Sequence, residues 1–287
     1  MTVATTFSTE RRMRLPRLTA ASAIATILLI VSLGVAFLGP LFRPHNPNDL
    51  IASPMLRPSH KYPLGTDDLG RDLFSRVLSG GSNVVMVALL VTVVAFTIGA
   101  VLGMAAGYVQ GRFDLVVTRS VDVLIALPAL LFAIVFISGL GSSLHVLVLV
   151  ISVFFVPRIV RIVRGATAPV VANDYVNASR LRGLGTGAIL WRDVIPNIAG
   201  ILVVEFAARL GSVLMFVATL NFLGLGAQPP ASNWGLMVSE TLPLLRSNPA
   251  ALMAPTALIA ALTVGVSLFA DQFAARLAMN QLAGRNA

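Results

Sequence analysis

Glu205 and Arg209 stand four residues apart inside an apolar stretch, in the order that favours an ion pair along one helix face. An ionisable side chain at membrane depth is a functional candidate by default. Two readings of this pair stay open: it lines a wet passage, or its members neutralise each other against a neighbouring subunit. Glu205 lies nine residues beyond Pro196, roughly 13 Å along a helix at 1.5 Å per residue. Nothing else points to covalent or metal chemistry. The chain has no cysteine, which excludes thiolate catalysis, disulfides and cysteine metal sites. His45, His60 and His145 lack metal-ligand spacing, so no metal is expected. No G-x-x-x-x-G-K-[ST] loop is present, and the single lysine, Lys61, follows no such loop. The chain is therefore expected to bind no cofactor, to lack an ATPase site of its own and not to be an enzyme by itself.

A second group of residues acts by position rather than by reaction. Residues 173–183 read Asn-Asp-Tyr-Val-Asn-Ala-Ser-Arg-Leu-Arg-Gly, and Asp193-Val194-Ile195-Pro196-Asn197 follow. Asn173 or Asp174 suits the N-cap of a short helix, whose first N–H groups need an acceptor. Gly183 suits its far end, because glycine enters the left-handed region without steric cost. A second amphipathic turn over 188–192 leads to Pro196, a favourable first residue for a following helix. Two short helices at an angle are expected.

The elements that must position these residues follow from composition. The chain has 287 residues, 56% apolar and only 11% charged, with a mean hydropathy of +0.87. A soluble domain carries about 25% charged residues, so a disordered chain and an ordinary cytosolic enzyme are excluded. A net charge of +9 would suggest nucleic acid in a soluble protein. Here the basic residues sit between apolar runs and report membrane topology instead. A bilayer core needs about 20 apolar helical residues, and six runs qualify: 18–38, 84–109, 116–139, 144–163, 198–225 and 250–270. The first is too long for a signal peptide and lacks a clear A-x-A cleavage site. With the N-terminus inside, fourteen Lys and Arg fall on the inner side and six on the outer, which predicts N-in, C-in topology. The organisation expected is an N-terminal tail (1–17), a first span (18–39), an external segment (40–83), a core of five spans (84–275) and a C-terminal tail (276–287). The internal loop 173–197 lies within the core. Ala95, Gly99, Gly103, Gly107 and Gly111 recur every four residues and give one helix a smooth face for close packing, against a neighbour in this chain or in another.

The internal loop resembles that of ATP-binding-cassette importer permeases, E-A-A-x3-G-x9-I-x-L-P. Asn177, Ala178, Ser179, Gly183, Asp193, Ile195 and Pro196 stand at its positions, with complete spacing. Asn177 replaces the glutamate, Ser179 the second alanine and Asp193 the apolar residue. Tyr62 to Arg76 is similar to the H-P-L-G-T-D-x-x-G-R-D-x-x-S-R string of dipeptide and oligopeptide importer permeases, with Tyr62 for histidine. Asn221 to Pro230, followed by Trp234-Gly235, is similar to their S-F-L-G-L-G-x-Q-P-P and W-G, with Asn221 for serine and Val217 where the family often has glutamate. In the second string Gly65, Thr66 and Asp67 suit a turn and helix cap, and Arg71 with Asp72 suits an anchor at the outer interface. Trp234 suits that interface or a buried seam.

The resemblance implies an all-α membrane protein of the type I importer permease kind, a C-type permease subunit in the bacterial plasma (inner) membrane. It implies half of a translocation pore for di- or oligopeptides. Implied partners are a second homologous permease, one or two ATPase subunits holding ATP and Mg, and an extracytoplasmic substrate-binding protein, with membrane lipid around it and no nucleic acid. Asp174, Asn177, Ala178, Ser179, Arg180, Arg182, Gly183 and Pro196 would couple the permease to the ATPases, and Glu205 and Arg209 are pathway candidates. Other cargoes, such as a nickel chelate or glutathione, fit the same machine. A stand-alone secondary transporter and a membrane scaffold are rivals that leave the completed loop spacing unexplained.

Overall fold

The computed structural model describes residues 20–285, with side-chain burial over residues 23–275. The expected tail 1–17, the first two residues of span one and the side chains of Arg276 and Arg285 lie outside these limits. Among the described residues the fold is all-helical, apart from one isolated bridge between Thr66 and Asp72. Five helical stretches are long and apolar enough to cross a bilayer, and a sixth crossing is made if one bent pair counts as a single span.

The long helices are α1 (Ala20–Leu38), α3 (Gly81–Val109) with the short α2 (Leu73–Ser79) before it, and α6 (Leu144–Val171). They are joined by α9 (Ile195–Phe222) and α11 (Pro249–Arg285). The last runs through residues expected to form a tail. Between α3 and α6 the expected third span is broken into α4 (Gly111–Ala126) and α5 (Ala129–Leu140), bent by 87°. Pro128 causes the break, because its ring disfavours helical geometry at the residue before it. Leu127 is accordingly extended, at φ −77° and ψ 133°. Twelve residues of α5 reach only about 18 Å, so α5 crosses nothing alone.

The glycine stripe packs against this chain's own α6, the neighbour that the sequence left open. A Cβ at Gly103 would stand 2.9 Å from the Val160 carbonyl oxygen and 3.1 Å from the Arg164 nitrogen. A Cβ at Gly107 would stand 2.7 Å from Thr167 Cβ. Gly111 lies outside this packing and, at φ +62°, turns the chain from α3 into α4. Gly103→Leu should force the two backbones apart and cost about 1–3 kcal/mol or more. Thermal melting in detergent checks this against Gly139→Leu, whose Cβ would meet nothing within 4 Å.

At one end of the bundle, loops 42–72 and 223–248 fold onto each other. Trp234, fully buried, opens α10 (Trp234–Thr241) and donates its indole N–H to the Val77 carbonyl at 2.7 Å. It therefore sits in a buried seam. Asn233 caps α10 and donates its amide to Asn83 at 3.0 Å, and Asn248 donates to the Leu64 carbonyl at 2.8 Å.

The same end holds a buried charge cluster that differs from the expected anchor. Asp67 accepts the backbone N–H groups of Leu69 and Arg71 on Oδ1, both at 2.9 Å. Its Oδ2 accepts Arg71 Nε and Arg76 Nη1, both at 2.5 Å. Arg76 Nη2 lies 2.9 Å from Glu240 Oε2. Asp67 is thus no helix cap, and Arg71 does not act with Asp72. Asp72 instead caps α2, accepting from the N–H groups of Phe74 and Ser75, and it also contacts His45 Nδ1 at 3.1 Å. Gly65, at φ +76°, makes the turn as expected. Burial works against ionisation of Asp67, but the Arg71 hydrogen bonds and the charges of Arg71 and Arg76 outweigh it and hold its carboxyl below the usual range. At Glu240 burial prevails over Arg76 and Arg71, the Asp67 charge adds to it, and the carboxyl is raised.

Candidate functional site

The opposite end carries the internal loop. Helix α7 (Asp174–Leu181) follows α6 at once. Its first turn closes on the Asn173 carbonyl, which accepts Val176 N–H at 3.1 Å and Asn177 N–H at 3.3 Å. The Asn173 side chain turns the other way and donates to the carbonyls of Pro169 and Val170, at 3.1 and 3.0 Å. Neither Asn173 nor Asp174 supplies the expected side-chain cap. Asn173 serves the end of α6 instead, and Asp174 places its charge in the first turn, favourably for the helix dipole.

The far end of α7 matches expectation. Gly183 adopts φ +79°, its N–H reaches the Arg180 carbonyl at 2.9 Å, and Leu184 N–H reaches Ser179 at 3.2 Å. These two bonds make a Schellman motif. Only Val176 and Ser179 of α7 are buried, so the helix is held by one narrow edge. Ser179 accepts from Arg182 Nη2 at 2.9 Å. Arg180 lays its guanidinium over the Tyr108 ring, 4.7 Å from the centroid, and so ties α7 to the end of α3. Asp174, Asn177, Ala178 and Arg182 are exposed, with Tyr175 and an almost bare Leu181 beside them.

The second short helix is not separate. Helix α8 (Thr186–Ile189) continues through a π-turn, Leu190–Val194, into α9, giving one stretch of 37 residues from Thr186 to Phe222. Pro196 explains the π-turn. It has no N–H to offer the carbonyl four residues back, and its ring would clash with that carbonyl in a regular helix. Asn197 fills part of the gap, donating to the Asp193 carbonyl at 2.6 Å. Pro196 therefore marks a wide turn inside a continuous lever, rather than the start of a new helix.

Glu205 and Arg209 lie further along α9. Glu205 Oε1 is 2.8 Å from Arg209 Nε, and the side chains are 7% and 16% exposed. The approach is off the N–H direction, so the pair is an ion contact without a hydrogen bond. Two further pairs carried no local signal in the sequence. Arg164 grips Asp114 through Nε and Nη2, and Arg161 Nη2 meets Asp122 at 2.7 Å. Both tie α4 to α6. The partners stand 50 and 39 residues apart, so no local spacing signalled them.

A family described as "Binding-protein-dependent transport system inner membrane component" matches residues 99–279. A probable D,D-dipeptide transport system permease protein of Escherichia coli K12 is 32% identical over 255 residues, 88% of this chain and 85% of that protein. A peptide transport system permease protein of E. coli O6:H1 is 39% identical over 208 residues, 72% and 70% of the two chains. A glutathione transport system permease protein of Pectobacterium atrosepticum is 34% identical over 218 residues, 75% and 72%.

Proposed function

Because the chain belongs to the family of binding-protein-dependent transport system inner membrane components, we propose that it forms half of the pore of an ATP-driven importer for di- or oligopeptides. The observation that carries this reading is α7: a short helix, closed at Gly183 and held by one edge, that offers its remaining surface to a partner. Its placement suits docking on an ATPase subunit. Nucleotide-driven movement of that subunit would then pass through α8 and the π-turn into α9 without a joint. Rigid movement of one half against the other provides alternating access.

In this reading both termini and α7 face the cytoplasm, and loops 42–72 and 223–248 receive a substrate-binding protein outside. A second permease completes the pore, and ATP and Mg reside on one or two kinds of ATPase subunit. The peptide and D,D-dipeptide relatives support peptide cargo, and the glutathione relative, whose cargo is itself a small peptide, supports a variant of the same machine.

The test is affinity purification of the tagged chain from its native membrane in mild detergent. Recovery of a second permease, ATPase subunits and a binding protein is the expected result. An intact chain with no ATPase, even after cross-linking, would favour a solitary transporter. The passage role of Glu205 and Arg209 has its own check: Glu205→Ala should lower uptake at unchanged assembly. Unchanged uptake would leave the pair as mutual neutralisation.

A further inference from the structure

Helix α6 carries a charged face that neither α7 nor the Glu205–Arg209 pair accounts for. Phe154, Arg158, Arg161 and Gly165 recur at helical spacing on one side of it. Arg158 and Arg161 are exposed, although both stand in the apolar run 144–163. Arg158 lies 14 residues from Leu144, about 21 Å along the helix. That places it roughly 7 Å inside the edge nearer α7, given a rise of 1.5 Å per residue. Its guanidinium rests 5.7 Å from the Phe154 ring, which is itself stacked on Phe216 of α9. No acidic side chain pairs with Arg158 among the described residues.

Beside it stands Asp122 of α4, 43% exposed and paired with Arg161. An arginine can reach from such a depth to the interface, but an aspartate is too short to do so. Arg119, also exposed, precedes Asp122 by three residues on α4. Two spans thus bring three arginines and one aspartate to an open face, beneath the break at Leu127–Pro128. Intramembrane charges of this kind face either a protein interior or water. Their exposure within the chain excludes its own interior.

We infer that Arg158, flanked by the Arg161–Asp122 pair, lines a water-filled passage in its inner half and draws anionic groups into it, the carboxylate of a passing cargo among them. The sidedness rests on the importer reading above. The absence of native cysteine in this chain makes the test direct. Arg158→Cys and Leu149→Cys, the latter at an exposed apolar position of α6, are compared in the assembled complex. Inside-out vesicles receive the membrane-impermeant anion methanethiosulfonate ethylsulfonate, and labelling is read from the mass of this chain. Arg158→Cys should react at least about tenfold faster than Leu149→Cys, because only water supports thiolate formation. Equal, slow labelling would mean that lipid or the second permease covers this face, and would overturn the inference.

A second variant keeps the test open if Arg158→Cys fails to assemble. Gly165→Cys places a thiol on the same face, where a Cβ meets nothing within 4 Å. Its ratio of rates with the anionic reagent and with the trimethylammonium counterpart should exceed the ratio that a free thiol shows in solution. Adding Arg158→Gln should cut that ratio several-fold, and an unchanged ratio would show that Arg158 supplies no charge to the passage. Failure of the importer reading shows separately, in which subunits copurify.

Discussion

Gly183→Pro should reduce peptide uptake by the assembled complex by more than about tenfold while leaving the chain in the membrane at its normal amount. The glycine occupies φ +79°, and a Cβ there would touch nothing within 4 Å, so the effect is one of backbone alone. Alanine at such a position costs about 1–2 kcal/mol, equivalent to roughly five- to thirtyfold in the population of the closed motif. Proline goes further. It fixes φ near −65° and removes the N–H that reaches the Arg180 carbonyl. The end of α7 would open while the spans, which do not depend on it, stay inserted. Uptake into vesicles and ATPase activity stimulated by the binding protein measure the result. Gly183→Ala should fall between wild type and Gly183→Pro, and full coupling in Gly183→Pro would remove α7 from the mechanism.

Asp67→Ala should be the most destabilising single change at the other end of the molecule. It leaves the guanidinium groups of Arg71 and Arg76, 4% and 0% exposed, with only Glu240 nearby. Removing one member of a buried ion pair costs about 3–5 kcal/mol, because the remaining charge is neither solvated nor matched. For a chain of this size that is a fall of about 10 °C in melting temperature. Limited proteolysis should show residues 42–72 cut first. The Arg161–Asp122 pair provides the contrast: facing water, as inferred above, its loss should change stability by at most about 1 kcal/mol.

The cluster also sets a pH dependence with two signs. The folded carboxyl of Asp67 is held below its ordinary value, so its contribution is present above that value and is lost as pH falls through the folded one. That of Glu240 is raised, so its contribution is complete below the ordinary value and is lost as pH rises through the folded one. Acidification from neutrality should first protonate Glu240 and relieve a buried charge. Only beneath the ordinary carboxylate range should Asp67 take a proton and release Arg71 and Arg76. Melting temperature against pH should therefore hold or rise slightly in mild acid and drop below it, and Asp67→Ala should lack the final drop.

The sequence by itself determined much of what depends on local period or spacing, though not the start of α7, where the Asn173 side chain serves the end of α6 instead. Apolar runs of bilayer length placed five spans, and fixed intervals among Asn177, Gly183 and Pro196 marked the loop. Gly183 was legible because a helix end needs a left-handed residue, and Glu205 with Arg209 because four residues make one helical turn. Tertiary structure decided the rest. The glycines of α3 showed that something packs closely there, but every helix offers a candidate, and only the fold selected α6. The break at Pro128 and the π-turn before Pro196 show the same limit. A proline in a helical run can start, break or widen a helix, and its neighbours in space choose among these. The sharpest case is the Asp67 cluster, where Arg76 meets Glu240 although the helices from α3 to α9 separate them along the chain. A charge in an apolar chain announces that it needs a partner, and the identity of that partner depends on contacts that no local pattern records.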